Sequence, residues 1–466
     1  MIVSIVRGLL IAALLVQGPQ GTAPAAAPTQ ADFELVAKGT PQNWPMFRGP
    51  QASGVGDAQG ALVEWDVKSG KNVRWKTPIP GFANASPVIW GNRIYIATAD
   101  SSTGVNTFQA GSIFGVNSLN DTSEHTWRLY ALDAANGAIV WNMEVHKSIP
   151  RTKRHPKASH ASSTPVTDGR RVVVFFGTVG ILAAYDANGN QLWKKDLGVI
   201  DSGYIVDPAQ QWGHSASPIL YENSVIIQAD QQKGSYVAAF DLADGKELWK
   251  TMRDDEISTW GTPLVVKGKA GDELITNGTK IRGYDPKTGK IRWTLGPNSQ
   301  IAIPTPIAGN DLVYIAGGYQ PVRPIYAIRP GGSGDISLPA GRTSNDSIAW
   351  SVDRDGPYIP TPLLYRGVFY SLNNNGVLNA FDAVSGERVY SGRVGRGGAF
   401  SASPMAADGR IYFANEEGQV YVVRAGKEYV QIALNEMAEP ITATPALSDG
   451  LMVVRTVGAV YGIGVK

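Results

Sequence analysis

The chain has 466 residues, of which 42 are Lys or Arg and 40 are Asp or Glu, for a net charge of +2 at neutral pH. The charged fraction is 18%, and no basic stripe of the kind that grips nucleic acid stands out. The lack of cysteine excludes disulfides, thiolate catalysis and thiolate metal sites, and predicts no lipid-anchored cysteine.

In chain order, the first signal is one of export. Arg7 precedes an apolar run over residues 8–16, which is too short to cross a bilayer. Small residues follow, so the sequence predicts a signal peptide over 1–27, cut after Ala23, Ala25 or Ala27. This places the chain in the periplasm or outside a bacterial cell. Residues 28–60 read as a leader, of which the Ala-, Pro-, Thr- and Gln-rich part up to 42 is expected to be disordered. The folded part is expected over 61–466.

That part is a repeat. A Ser-Pro or Thr-Pro pair opens a short apolar run eight times, with prolines at Pro87, Pro165, Pro218, Pro263, Pro306, Pro362, Pro404 and Pro445. A unit of roughly 42 residues with Gly turns and a fixed Trp predicts a β-propeller. Residues 262–295 are the clean unit, with strands over 262–267, 272–277, 280–285 and 290–295. Asp285-Pro286-Lys287-Thr288-Gly289 is the turn between the last two. The last unit stops one strand short, while residues 65–75 form a turn and a strand with no blade of their own. The prediction is therefore all-β: an eight-bladed β-propeller of four-stranded antiparallel blades, its ring closed by an N-terminal strand.

Insertions single out one face. Fourth-strand aromatic to next anchor proline is usually 12 to 14 residues, but 24 from Trp141 to Pro165 and 25 from Trp193 to Pro218. A third insertion lies near 99–126, and meander topology puts all three on one face over the first three blades. The loop over 330–346 falls on the other.

The motif Ala-x-Asp-x-x-x-Gly-x-x-x-Trp, as in Ala131-Leu132-Asp133 to Trp141 and Ala239-Phe240-Asp241 to Trp249, resembles the tryptophan-docking repeat of pyrroloquinoline-quinone (PQQ) propellers. The opening Asn43-Trp44-Pro45-Met46-Phe47-Arg48-Gly49-Pro50 is similar to the start of many exported PQQ-like propellers. The resemblance spans about residues 61–466. It implies docking rings at Trp75, Trp141, Trp193, Trp249, Trp293, Trp350 and Tyr390. Relatives include calcium- and PQQ-dependent alcohol dehydrogenases and the outer-membrane assembly factor B lipoproteins, which bind no quinone. The dehydrogenases carry a disulfide of adjacent cysteines over the quinone, and this chain has none. Their Glu, Asn and Asp calcium ligands find no matching motif; Asp230, Asn277 and Asn374 are candidates by position alone.

Trp212 and Trp260 stand just ahead of first strands, at the predicted channel mouth. They could stack on a quinone, a sugar or a peptide, or pack beneath the long loops. His155, His160 and His214 come from the same two loops. Imidazoles can shuttle protons or bind metal, but the spacing of the first two fits no zinc pattern, and no metal is assigned. Lys147, Arg151, Lys153, Arg154 and Lys157 read as a solvated run or an anion site, and Asp254, Asp255 and Glu256 as a solvated acidic loop or a cation site. The expected function is non-catalytic binding of a protein, peptide or glycan on the insertion-bearing face. The chain is expected to be a monomer that takes no nucleic acid, needs no cofactor and does not span the membrane after signal cleavage. The alternative is a PQQ- and Ca²⁺-dependent oxidoreductase.

Overall fold

A computed structural model describes residues 42–104, 107–111, 117–268 and 271–465. The predicted signal peptide lies outside them. Among the described residues the architecture is eight antiparallel sheets around an axis, with one short 3₁₀ turn at Pro50–Ala52. The clean unit forms strands at Leu264–Val266, Glu273–Thr276, Ile281–Tyr284 and Ile291–Leu295. The eighth sheet joins Ala446–Ser448, Leu451–Arg455 and Ala459–Ile463 to Val73–Pro78, the orphan strand of the sequence. Closure by that strand covers the edge of the last blade. The long loop after Ile325–Ile328 adds Gly334–Asp335 to the outer strand of the fourth blade, which so becomes five-stranded.

The Ser/Thr-Pro repeat has a physical reason. The backbone N–H of Ser86 donates to the Thr164 hydroxyl at 3.0 Å, that of Thr164 to Ser217 at 2.9 Å, and that of Ser217 to Thr262 at 3.0 Å. The series continues through Thr305, Thr361, Ser403 and Thr444, and returns from Thr444 to Ser86 at 3.1 Å. Eight hydroxyls therefore form one closed ring of hydrogen bonds about the axis. Each bond is worth roughly 0.5–1.5 kcal/mol. The hydroxyl at this position satisfies the neighbouring N–H, and the proline that follows carries no N–H of its own to satisfy.

The outer strands are fixed by the docking rings. The indole N–H of Trp75 donates to the Ala134 carbonyl, that of Trp141 to Ala187, that of Trp193 to Leu242, that of Trp249 to Pro286 and that of Trp350 to Ala383. Each acceptor is the residue after the turn Asp of the next blade. The aspartates cap their own turns; Asp241 accepts from the Ala243 N–H at 2.7 Å. The turn glycine is needed twice over. Gly245 has φ +73°, and a Cβ there would stand 2.7 Å from the Trp193 ring. Trp293 departs from the pattern, donating to Glu273 of its own blade. The Tyr390 hydroxyl has no hydrogen-bond partner among the described residues.

Residues 43–60, expected as leader, are part of the fold. Trp44 exchanges two backbone hydrogen bonds with Ile89 of the first blade, and Val55 pairs in parallel with Ala406 of the seventh. Between them the segment crosses the end of the channel. Arg48 is fully buried there and donates to the carbonyls of Ala52, Ser53, Thr361, Pro362 and Pro404. Burial pushes its guanidinium down to about 9.

Candidate functional site

The three insertions meet on one face. The blade-one insertion pairs with the next loop at Leu119 and Arg154, and its Ser118 N–H donates to Gln210 of the third. The His155 N–H donates to the Trp212 carbonyl. Together they wall a cavity of about 820 Å³. Its floor is the hydroxyl ring: all eight Ser and Thr residues line it, with Phe47 from the crossing segment. The channel is thereby a blind pocket. A volume of this size suits a small ligand.

One wall is aromatic. Tyr204 stacks on Trp212 with centroids 5.2 Å apart and planes at 17°, and Trp212 lies 5.7 Å from Trp260. The His155 ring meets Trp212 edge-on. Tyr204 and Tyr319 hydroxyls are 3.3 Å apart, and Tyr319 packs on Tyr358. Trp212 is thus flanked by rings on both sides, and Trp260 is clipped by its N–H to the Gly213 carbonyl at 2.6 Å. Both line the cavity and both also pack under the loops. Tyr204, Tyr319 and Tyr358 were not foreseen. The signal was available for Tyr358, which precedes the Thr361-Pro362 anchor much as Trp260 precedes Thr262-Pro263.

The histidines separate. His155 lines the cavity; burial and then Lys157 push its imidazole down to about 4. His160 and His214 do not reach the mouth as expected. Both are buried, His214 against Phe175, and burial pushes the His214 ring down to about 4. His160 sits 3.0 Å from Asp121, and its pKa is likewise lowered by burial. Asp121, His125 and His160 offer ligand atoms within 4.8 Å of one another. Arg154, however, donates to the same Asp121 oxygen as His160, at 2.6 Å, and also holds the Thr107 and Ala158 carbonyls. Burial raises the Asp121 pKa, but the hydrogen bonds from His160 and Arg154 outweigh it and hold the carboxyl below the usual range. A guanidinium already neutralises this carboxylate, and a cation would face it at close range. The cluster is a staple between two insertions.

The basic run divides into covered and solvated members. Arg154 is buried, and Lys157 pairs at 2.9 Å with Glu416, whose side chain is fully buried. Glu416 also accepts from Ser401 and from the Gly111 N–H, so it ties three loops at the rim. Lys147 pairs with Glu124 and Arg151 with Asp196 at the surface. In the acidic run, Asp255 is exposed and pairs with Lys280 and Arg282. Glu256 is buried between Arg253 and Arg282, correcting the expectation of a solvated loop.

The candidate calcium ligands do not come together. Asp230 is buried against Arg253 at 2.8 Å and accepts from Gln228 and Thr259. The Asn277 amide is spent on Pro304, Ala316, Gly278 and Asn298. Only Asn374 faces the cavity. This donor set does not fit Ca²⁺-PQQ at these three residues.

An eight-bladed ring sealed at one end and carrying a walled pocket at the other is the architecture of a PQQ-like propeller. The chain belongs to the family described as outer membrane protein assembly factor BamB, whose model matches residues 125–336 and 374–463. It is 24% identical over 288 residues to BamB of Yersinia pestis, covering 59% of this chain and 67% of the relative. It is 19% identical over 379 residues to the tetrathionate hydrolase of Acidithiobacillus ferrooxidans, covering 75% of this chain and 66% of that protein. Among solved structures, a europium-containing methanol dehydrogenase superposes with a TM-score of 0.58 at 13% identity, over 90% of each chain. That likeness is one of fold.

Proposed function

We propose that this chain is an exported propeller of the bacterial envelope that binds a partner or ligand at its cavity-bearing face and catalyses no reaction. The observation that carries this reading is the blind pocket itself. Three insertions meet on one face around it, and among the described residues its lining assembles no cation set and no carboxylate–base pair. Family membership supports an envelope role, since the relatives carry the name of an outer membrane assembly factor. A protein, peptide or glycan is the expected partner, nucleic acid is not, and the chain acts as a monomer. Among the described residues no helix is long and apolar enough to cross a membrane.

The competing reading is a quinoprotein oxidoreductase, favoured by the dehydrogenase likeness in fold. Purified protein is incubated with PQQ and Ca²⁺ and assayed for quinone binding and for dye reduction with alcohols and sugars. Neither is expected. Dye reduction would overturn the binding reading.

A further inference from the structure

The pocket differs from side to side in a way that specifies its ligand. Each of the eight floor hydroxyls accepts the N–H of the blade before it. None of them donates its own proton to an acceptor among the described residues. A buried hydroxyl carries one donor, and that donor needs a partner. The floor is therefore a circle of O–H groups left to whatever fills the pocket. Across the ring from Trp212, the sixth blade brings Asn373 and Asn374 to the cavity, and the fifth brings Gln320, next to Tyr319 whose hydroxyl lies 3.3 Å from that of Tyr204. Their side-chain amides make no hydrogen bond with described residues, while Asn84 and Gln210 on the opposite side are already engaged. Free amides donate and accept at once, as sugar hydroxyls do.

Charge narrows the choice. Lys157 is neutralised by Glu416, and His155 is neutral at ordinary pH. The remaining charged side chains of the lining are one acid, Asp207, and one base, Arg323. A ligand with several carboxylates would meet a single guanidinium. The side chains of an apolar peptide would offer nothing to the hydroxyl floor and three amides, and its backbone brings one acceptor and one donor per residue against the several hydroxyls of each sugar.

Taken with the reading above, on which this inference rests, we propose that the cavity takes the end of a neutral oligosaccharide. One sugar face would lie along the wall of Tyr204, Trp212 and Trp260. Hydroxyls on the other side would meet Asn373 and Asn374, one near Tyr319 would meet Gln320, and ring and hydroxyl oxygens would accept from the floor. These residues come from the connections entering the third and fourth blades and from the fifth and sixth blades, so no single repeat makes the site.

The test uses the full exported chain. Maltotetraose, cellotetraose and chitotetraose are titrated by calorimetry and by tryptophan fluorescence, beside an oligogalacturonate and a random-sequence peptide pool. Binding of at least one neutral sugar is expected, with a fluorescence change from the Trp212–Trp260 wall. The double variant Asn373→Ala, Asn374→Ala should weaken it about tenfold or more without moving the melting temperature. Equal affinity in that variant would overturn the assignment of the amide wall. Binding of the acidic oligomer alone, or of peptides not displaced by sugar, would overturn the neutral-glycan inference yet leave the binding reading standing. No binding by any probe at millimolar concentration would sink the inference. Catalysis with PQQ and Ca²⁺ would instead sink the reading beneath it, so the two failures are told apart.

Discussion

Replacing Arg48 tests the claim that residues 43–60 seal the channel. Its guanidinium donates to five carbonyls, at 3.1 Å to Ala52, 3.2 Å to Ser53, 3.3 Å to Thr361, 2.8 Å to Pro362 and 3.1 Å to Pro404. Two acceptors lie on its own segment and three on the sixth and seventh blades. In Arg48→Leu all five lose their donor inside the protein. At about 1 kcal/mol for each lost bond the cost is about 5 kcal/mol if nothing moves. The chain has a cheaper response, which is to let the segment lift and water reach the carbonyls. That forfeits the burial of Trp44, worth about 2–3 kcal/mol, and other contacts of the segment. The expected loss is therefore about 3–5 kcal/mol, with the segment released. Guanidinium unfolding followed by fluorescence gives the free energy, and limited proteolysis with mass analysis shows whether 43–60 is cut first. Arg48→Lys keeps the charge with fewer donors and should fall between. A loss under about 1 kcal/mol, with the segment still protected, would refute the sealing role.

Three further outcomes are expected. Trp193→Ala removes a buried docking ring and should cost about 3–5 kcal/mol, whereas Trp212→Ala should cost less stability and mainly affect binding; equal shifts in thermal melts would contradict the division between docking and cavity rings. Deleting residues 61–77 removes all but the last residue of the strand Val73–Pro78 that completes the last blade, and a deletion variant that stayed monodisperse and melted like the parent would contradict the closure. His214 stays neutral in the fold down to about 4, while the unfolded chain takes up its proton near 6.5; stability should thus fall as the pH drops from about 6.5 to about 4, by up to about 3 kcal/mol. His214→Gln should flatten that part of the profile measured by chemical unfolding.

The fold was legible because each repeat feature serves an interblade contact. The Ser/Thr before each proline bonds the next blade, the Gly makes room for a ring, and the Trp reaches one defined carbonyl. Such contacts repeat with the chain and so appear as a period. The orphan strand was legible for the same reason, since it carried the turn and Trp75 of a missing quarter blade. The site was legible only in part. Loop lengths pointed to the face that carries the cavity, and position ahead of an anchor pointed to Trp212 and Trp260, which line it. What failed was depth. Nothing in the spacing says that His160 and His214 lie beneath the loops, or that Glu256 sits between Arg253 and Arg282. Burial of charge depends on partners distant in sequence, such as Glu416 for Lys157 and Asp121 for Arg154. The crossing segment was missed because it repeats nothing.

The pocket follows from one structural choice made eight times. A hydroxyl ahead of each first strand closes the ring by accepting a backbone N–H, and in doing so leaves its own proton unspent on the axis. A channel bounded by such a ring is polar at its waist whatever the blades carry outside. Sealing one end with Phe47 and Arg48 turns that waist into a floor, and the insertions at the other end turn the mouth into walls. The element that makes the ring stable is therefore also the element that sets what the pocket can hold. A substitution in the ring, such as Thr361→Val, should then couple the two. It leaves the Thr305 N–H without its acceptor and removes one donor from the floor. Stability and ligand affinity should fall together in that variant, whereas Asn374→Ala should lower affinity alone. If Thr361→Val lost stability but bound the ligand unchanged, the floor hydroxyls would be structural and the ligand would be read by the walls.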